Sequence, residues 1–363
     1  MTDIRIIRLG LGSYANVAGT ASEGLVLSDV DMYNLTEVGN AHLIKGNISY
    51  SGIVDVCVDY SGNIYGVDST NNCVVKIEEG GRVSWVAGSQ VGTAGNNGTK
   101  NGIPAQAARF NAPLGIACDK GGTIYIADSS NHQIRTIKGG LVNVLAGSAG
   151  LSGLTDGTGE TARFSSPAAL AVDKAGTVWV ADTGNNALRK ITNDGKVLTV
   201  AGNGSVGNFI TSDANSTAAN YETYYANNNT ASFSAPNAIA VDIAGSVYIA
   251  DAGNNIIKKY TADGKLYRFS GGGNVGTSLG LGGKTIADCS AYTCSYNSLQ
   301  ALAMETNGTL YVVDRKTVGS RLLRITKTGT PHEVADWNSN SFYGPVAIAV
   351  SPAQTLFVIN QVA

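Results

Sequence analysis

Residues Phe164 to Gly202 read FSSPAALAVDKAGTVWVADTGNNALRKITNDGKVLTVAG. Four short apolar runs lie in this stretch, separated by turn residues. Ala168–Val172 is small and apolar, and Asp173-Lys174-Ala175-Gly176 makes the first turn. Thr177–Ala181 alternates, with Val178 and Val180 on one face and Thr177, Trp179 and Ala181 on the other. Asp182-Thr183-Gly184-Asn185-Asn186 turns the chain into Ala187–Ile191, and Asn193-Asp194-Gly195 turns it again into Lys196–Ala201. Period-two alternation punctuated by Gly, Asn and Asp is the signature of an antiparallel meander.

The same unit recurs along the chain. Asp173 precedes Asp182 by nine residues, and the interval returns as Asp59 to Asp68, Asp119 to Asp128 and Asp242 to Asp251. It returns in altered form as Glu305 to Asp314 and Ser351 to Asn360. An aromatic always stands three residues before the second member: Tyr65, Tyr125, Trp179, Tyr248, Tyr311 and Phe357. The fourth run ends in Ala87-Gly88, Ala146-Gly147, Ala201-Gly202 and Ser270-Gly271. A fixed period of one supersecondary unit indicates a repeat architecture.

The copies occupy about 53–88, 113–147, 167–202, 236–271 and 299–336, with a half copy at 345–363. The missing half lies at the other terminus. Ile4–Ile7 matches a third strand, and Tyr14–Gly19 (YANVAG) matches a fourth. The expected fold is therefore all-β: a single-domain six-bladed β-propeller of four-stranded antiparallel blades, the last closed by N- and C-terminal strands (345–363 plus 4–19). Closing the ring leaves only short blade edges to protect. In such a meander the turn after the second strand and the link to the next blade share a face. The long spacers should converge there, where a rigid scaffold usually carries function.

Composition narrows the classes. Glycine is high, at 46 residues of 363, which suits many tight turns. Charged residues make up 14%, with a formal net charge of −2, which gives no electrostatic case for nucleic acid or an anionic membrane. No run reaches the roughly 18 apolar residues of a membrane span, and MTDIRIIRLG has no signal-peptide apolar region. Five cysteines do not make a disulfide framework. Cys57 and Cys118 take the place of small or β-branched residues and read as buried thiols. Cys289 and Cys294, in an inter-blade loop, are open to a local disulfide; as a metal site they lack histidine partners.

The copies resemble the NHL repeat family. The resemblance rests on Phe110, Pro113, Asp119, Gly122, Tyr125-Ile126-Ala127-Asp128, Asn131-His132 and Ile134-Arg135, and on the matching residues Phe164, Pro167, Asp173, Gly176, Val180-Ala181-Asp182, Asn185-Asn186 and Leu188-Arg189-Lys190-Ile191. It is specific over 110–271. Copy five departs from it, with Leu299 in place of the proline and extra residues after Asp314. The resemblance implies a propeller and, usually, a binding role. A minority of the family are enzymes, notably amidating lyases with histidine-held zinc.

Each candidate residue has a structural reading beside the functional one. Asp68, Asp128, Asp182, Asp251 and Asp314 would accept amide bonds within their own turns. Asp59, Asp119, Asp173 and Asp242, each with Gly three residues on, are type I turn chemistry. Arg135, Arg189, Lys258 and Arg324 are read as outward-facing third-strand residues. The three histidines, His42, His132 and His332, fall at unmatched places and do not support a zinc site. The 203–235 spacer has no Lys or Arg, which argues against reading RNA. It does carry Phe209, Tyr221, Tyr224 and Tyr225 among Asn, Ser and Thr, the composition of binding loops, and the 272–298 spacer adds Tyr292 and Tyr296.

These six rings are the expected binding residues, with no catalytic residue, metal or cofactor assigned. The expected function is a non-catalytic interaction or structural protein whose loop-rich face meets a protein or glycan, with neither nucleic acid nor membrane as partner. Assembly into a larger particle fits the low charge and lack of a signal, and a bacteriophage virion component (tail, fibre or capsid decoration) is the specific expectation. The alternative is a lyase- or hydrolase-type enzyme with its site at the mouth of the loop face. Each ring of the repeated aromatic set is worth about 2–3 kcal/mol when buried between sheets. Trp179→Ala should therefore cost the fold itself, seen as loss of a cooperative melting transition rather than of one activity.

Overall fold

The computed structural model describes residues 4–10, 30–34, 52–78, 83–89, 102–207, 231–271, 294–316, 319–337 and 342–362. They form antiparallel sheets built as the repeats require: Ile53–Val58, Ile64–Asp68, Cys73–Ile77 and Val83–Gly88 make one meander in strand order. Further sheets are built from strands at 115–147, 167–201, 236–270 and 299–337. The sheets at 115–147 and 167–201 each gain a fifth short strand, Ile103–Pro104 on Leu141–Gly147 and Gly157–Thr158 on Lys196–Ala201. Both additions come from the preceding spacer and cover an outer edge that would otherwise offer unpaired backbone groups.

The remaining sheet joins the two ends of the chain. Ile4–Gly10 pairs antiparallel with Thr355–Val362, from Ile4 opposite Gln361 to Gly10 opposite Thr355. The expected outer strand at Tyr14–Gly19 is not the one used. Val30–Asn34 pairs with Ile4–Gly10, with Leu9 opposite Val30 and Arg5 opposite Asn34, and residues 14–19 lie outside the described residues. The motif YANVAG resembles other fourth strands, but an edge is completed by whichever segment finds register on it.

The first strands pack side by side around an axis. Ile53–Val58 meets Gly115–Cys118, which meets Pro167–Val172, then Pro236–Val241, Leu299–Met304 and Phe342–Val350, which returns to Ile53–Val58. The fold is thus an all-β propeller with four- and five-stranded antiparallel blades. Its core lies between neighbouring sheets. Trp179 and Ala181 pack toward the next sheet, against Phe233, Ile239 and Tyr260, while Val178 and Val180 pack with Phe164 of their own copy and Ala146 of the previous sheet. The Trp179 and Tyr260 ring centres are 5.8 Å apart, and Tyr248 meets Phe269 edge-on at 4.9 Å. The repeated aromatics are therefore inter-sheet packing residues, as their alternation predicted.

The glycines ending fourth strands have a specific cause. Gly88 and Gly147 have φ of +97° and +90°, and a Cβ there would lie 2.5 Å and 2.4 Å from the carbonyls of Asn72 and His132. The next blade's Phe110 and Phe164 close the other side. Only glycine combines that φ with that approach.

Cys57 and Cys118 are not free thiols. They form a disulfide across neighbouring first strands, 61 residues apart in sequence. Small core positions in adjacent blades become bridgeable because the first strands lie side by side. Closing a loop of that length contributes about 4 kcal/mol in the chain-entropy account. The Cys57→Ser, Cys118→Ser double variant should lose about 2–4 kcal/mol of unfolding free energy in a denaturant titration. Thiol titration of the denatured wild type should find two fewer reactive groups than the cysteine count.

Candidate functional site

The second-turn aspartates are the hubs of the blades. Asp182 is fully buried. Its Oδ1 accepts the Ser165 amide at 2.7 Å, and its Oδ2 accepts Asn185 Nδ2 at 2.7 Å and Arg189 Nη1 at 2.8 Å. Arg189 also donates to the Arg163 carbonyl at 2.9 Å and lies 5.1 Å from the Phe164 ring centre. The pattern is written again with Asp251, Ser234, Asn254, Lys258, Ser232 and Phe233, and with Asp314, Asn297, Arg321 and Ser295. Asp128 binds the Asn111 amide, Asn131 and Arg135 likewise, with Arg135 over Phe110.

Two expectations are corrected here. The aspartates do bind their own turns through the asparagine three residues on, but they also seize the spacer 17 residues earlier. Arg135, Arg189 and Lys258 are not outward-facing: all are buried and ion-paired. The matching cation in the fifth sheet is Arg321, seven residues after Asp314, rather than half-buried Arg324. Burial pushes the Asp128 and Asp182 carboxyls up to about 6, outweighing the hydrogen bonds and the guanidinium beside each.

The residue after each of these turns latches the next blade. Asn72, His132, Asn186 and Asn255 all have positive φ. Asn72 Oδ1 accepts the Ala112 amide at 2.7 Å, His132 Nδ1 accepts the Ser166 amide at 3.1 Å, and Asn186 Oδ1 accepts the Ala235 amide at 2.9 Å. His132 is thereby a structural acceptor, with burial holding its imidazole below the usual range.

The first-turn acids behave as the spacing predicts and do one thing more. Asp173 Oδ1 accepts the Ala175 and Thr177 amides, and its Oδ2 accepts Trp179 Nε1 at 3.0 Å. Asp119 takes the Thr123 amide and the Tyr125 hydroxyl. Burial and this carboxylate push the Tyr125 phenol up to about 12. These turns surround an axial cavity of about 490 Å³ on the short-loop face. The residue after each first-turn position lines it and is exposed: Tyr60, Lys120, Lys174, Ile243, Thr306 and Pro352. Lys120 Nζ lies 5.3 Å from the Tyr60 ring centre.

A second, smaller cavity of about 90 Å³ lies deeper along the axis, between the starts of the first strands. Four residues before the first-turn acid, the other copies have Gly115, Ala169, Ala238, Ala301 and Ala347; the first has Asp55. Asp55 accepts the Val56 amide at 2.9 Å and the Ile116 amide at 3.0 Å. It is enclosed by protein while keeping some surface on the cavity. Burial pushes its carboxyl from 3.8 up to about 7, against the lowering by the two amides. The folded protein thus holds this proton more tightly than the unfolded chain, and the group's contribution to stability falls as pH rises from 3.8 to about 7. The sequence reading missed Asp55; alignment of the copies at that position would have exposed it.

Of the expected binding rings, Phe209, Tyr221, Tyr224, Tyr225 and Tyr292 lie outside the described residues. Tyr296 is described and is not a surface ring. It is fully buried, shares a hydrogen bond of 2.6 Å with Ser270 Oγ, and fills the place that Phe110, Phe164 and Phe233 hold in their copies. Its 18-residue offset before Asp314 carried that information. Cys294 is also buried, and its relation to Cys289 lies outside the described residues. Among the described residues, no group of three or more His, Cys, Asp or Glu side chains is placed to hold a metal ion.

The class of protein follows from the ring of meanders with an axial channel: a β-propeller. Solved structures share that fold. A gluconolactonase from Xanthomonas campestris is 12% identical, with a TM-score of 0.51 over 85% of both chains. A catalytically inactive virginiamycin B lyase from Staphylococcus aureus, solved with quinupristin, is 13% identical, with a TM-score of 0.50 over 92% of this chain and 85% of that one. At such identities the likeness is one of fold alone.

The repeats themselves are NHL repeats over the matched stretches. Residues 110–137 match the NHL repeat, and residues 157–261 match the Teneurin NHL domain. Protein SUPPRESSOR OF QUENCHING 1, chloroplastic, of Arabidopsis thaliana is 37% identical over 109 residues, which are 28% of this chain and 10% of that protein. NHL repeat-containing protein 2 of Gallus gallus is 32% identical over 97 residues, 26% of this chain and 13% of that protein. The matched stretches thus span about a tenth of these curated relatives.

Asp182→Ala should remove the buried carboxylate partner of Arg189 and leave its guanidinium only the partly exposed Asp156 carboxylate, 3.0 Å from Nη2. A loss of about 3–5 kcal/mol in unfolding free energy is expected, measured by chemical denaturation. Thr192→Ala, in an exposed turn of the same sheet, should leave the midpoint nearly unchanged.

Proposed function

We propose that this chain is a non-catalytic interaction module: a six-bladed propeller whose spacer-bearing face engages a protein or glycan. The carrying observation is that spacers are fastened to the second turns. Their ends give an amide to the buried aspartate, as Asn111, Ser165, Ser234 and Asn297 do. Their starts are also held: Asn131 accepts the Gly150 amide through its carbonyl, and Asn254 donates to the Gly207 carbonyl. Segments of free length and composition are thus presented from rigid footings on one face. Tyr221, Tyr224 and Tyr225 are in the sequence of the 203–235 spacer.

A count of six blades is supported by the circuit of first-strand contacts and by the six copies in the sequence. A phage particle is one setting for such a module, but no residue singles it out, and the proposal is confined to the partner's chemistry. The repeated acids are each committed to turn and strand bonds, which favours scaffold over chemistry. An enzymatic reading has one foothold, Asp55 in the axial cavity with its carboxyl near neutrality.

Deleting Tyr221–Asn229 should leave the melting temperature unchanged and abolish capture of a partner first identified with the intact chain by cross-linking and mass spectrometry. Undiminished capture of that same partner by the deletion variant would sink the loop-face reading.

A further inference from the structure

The cavity on the short-loop face, at about 490 Å³, falls within the size range of small-molecule sites. Its wall and its rim are made differently. The residues just before the first-turn positions, Val58, Cys118, Val172, Val241, Met304 and Val350, give it an apolar wall. Two large hydrophobic side chains stand open at the rim, Tyr60 at 55% exposure and Ile243 at 68%. Apolar surface left in water around an apolar cavity marks a place where something binds.

The charged groups of the cavity are unequally satisfied. Four acids line it, Asp119, Asp173, Asp242 and Glu305. In each aspartate, Oδ1 accepts backbone amides of its own turn and Oδ2 accepts the ring donor of Tyr125, Trp179 or Tyr248. Asp242 also has Lys259 Nζ at 3.9 Å. Glu305 accepts the Tyr311 hydroxyl at 3.4 Å and feels the Arg324 guanidinium. The two lysines are the opposite case. Lys120 and Lys174 follow the acids of neighbouring sheets, are exposed at the mouth, and have no ion pair among the described residues. Lys120 Nζ meets only the face of Tyr60. No other copy has a cation at that position, where Tyr60, Ile243, Thr306 and Pro352 stand. Charged donors are therefore in surplus on one side of the mouth, while the acceptors are already engaged.

We propose that this cavity binds an amphipathic monocarboxylate, its head held at the mouth by Lys120 and Lys174 and its apolar body laid against the valine and methionine wall. A carboxylate gives the two ammonium groups charge-assisted hydrogen bonds that nothing else at the mouth supplies. An ammonium head would meet aspartate oxygens that already accept, and would be repelled by both lysines. The half-buried acids, one residue before the lysines, keep an anionic head at the rim and leave the depth to the apolar body. The site is independent of the loop-face reading, because it lies on the other face and none of its residues is in a spacer.

The test is calorimetric titration of the full chain at pH 7 with butanoate, hexanoate and octanoate. Octanoate should fill one saturable site, and each added methylene should tighten binding about fourfold, the factor for burying one such group. Octylammonium and octan-1-ol carry the same body on other heads and should bind at least about tenfold more weakly. The double variant Lys120→Ala, Lys174→Ala changes two exposed side chains, so it should keep the melting temperature and weaken octanoate about tenfold. Lys120→Arg, Lys174→Arg should retain the affinity. No saturable binding of octanoate, a flat methylene series, octylammonium binding as tightly as octanoate, or unchanged affinity in the alanine variant would overturn the proposal.

Discussion

A carboxylate buried at the end of the second strand in the first five sheets is the constraint on which those blades depend. Asp128, Asp182, Asp251 and Asp314 are each fully enclosed, and an ionised group there must be surrounded by donors. That need fixes an asparagine three residues on in three of the four and a cation seven residues on in all four. It also fixes an amide 17 residues back, with an aromatic ring beside it that lies under the cation for Asp128, Asp182 and Asp251. The first sheet shows how far the set can be thinned. Asp68 keeps Asn71 as donor, but buried Val75 stands where the cation would be. Its carboxyl is raised, with burial the leading cause.

The arrangement separates what must be fixed from what is free. Turn residues and spacer ends are tied into the hubs, and two spacers also lend a short strand to a sheet, Ile103–Pro104 and Gly157–Thr158. The axis is treated the same way. Valines or their equivalents, Val58, Val172, Val241 and Val350, recur along the wall of the short-loop cavity. The residue just past each turn is a tyrosine in one copy, lysine in two and isoleucine in another. A constant wall with a changing rim is what a scaffold looks like where selection acts on the surface and not on the packing.

Much of this was legible in the chain. The nine-residue interval and the aromatic before its second member placed the strands, and alternation assigned the faces of Trp179 and Val180 correctly. Four features were not legible, each for a physical reason. A lysine or arginine in a strand is normally solvated, so Arg135, Arg189 and Lys258 read as outward although their constant offset from an aspartate marked them as partners. The Cys57–Cys118 bridge needed knowledge that successive first strands are neighbours, which local patterning does not contain. The outer strand of the closing sheet was misplaced because a short motif says what a segment resembles, whereas pairing decides where it goes. Asp55 escaped for the opposite reason: attention to what repeats conceals what does not.

The pairing of Ile4–Gly10 with Thr355–Val362 sets an order of events during synthesis. Ile4–Gly10 is made hundreds of residues before its inner neighbour, Thr355–Val362. At about 5–20 residues per second, it must wait on the order of twenty seconds or more for that neighbour. Blades between the two can form as they emerge, since their contacts are local, but the circle is completed only afterwards, with two sheet edges exposed in the interval. Such a molecule is vulnerable to pairing with another copy of itself while it is being made, far more than once it is finished.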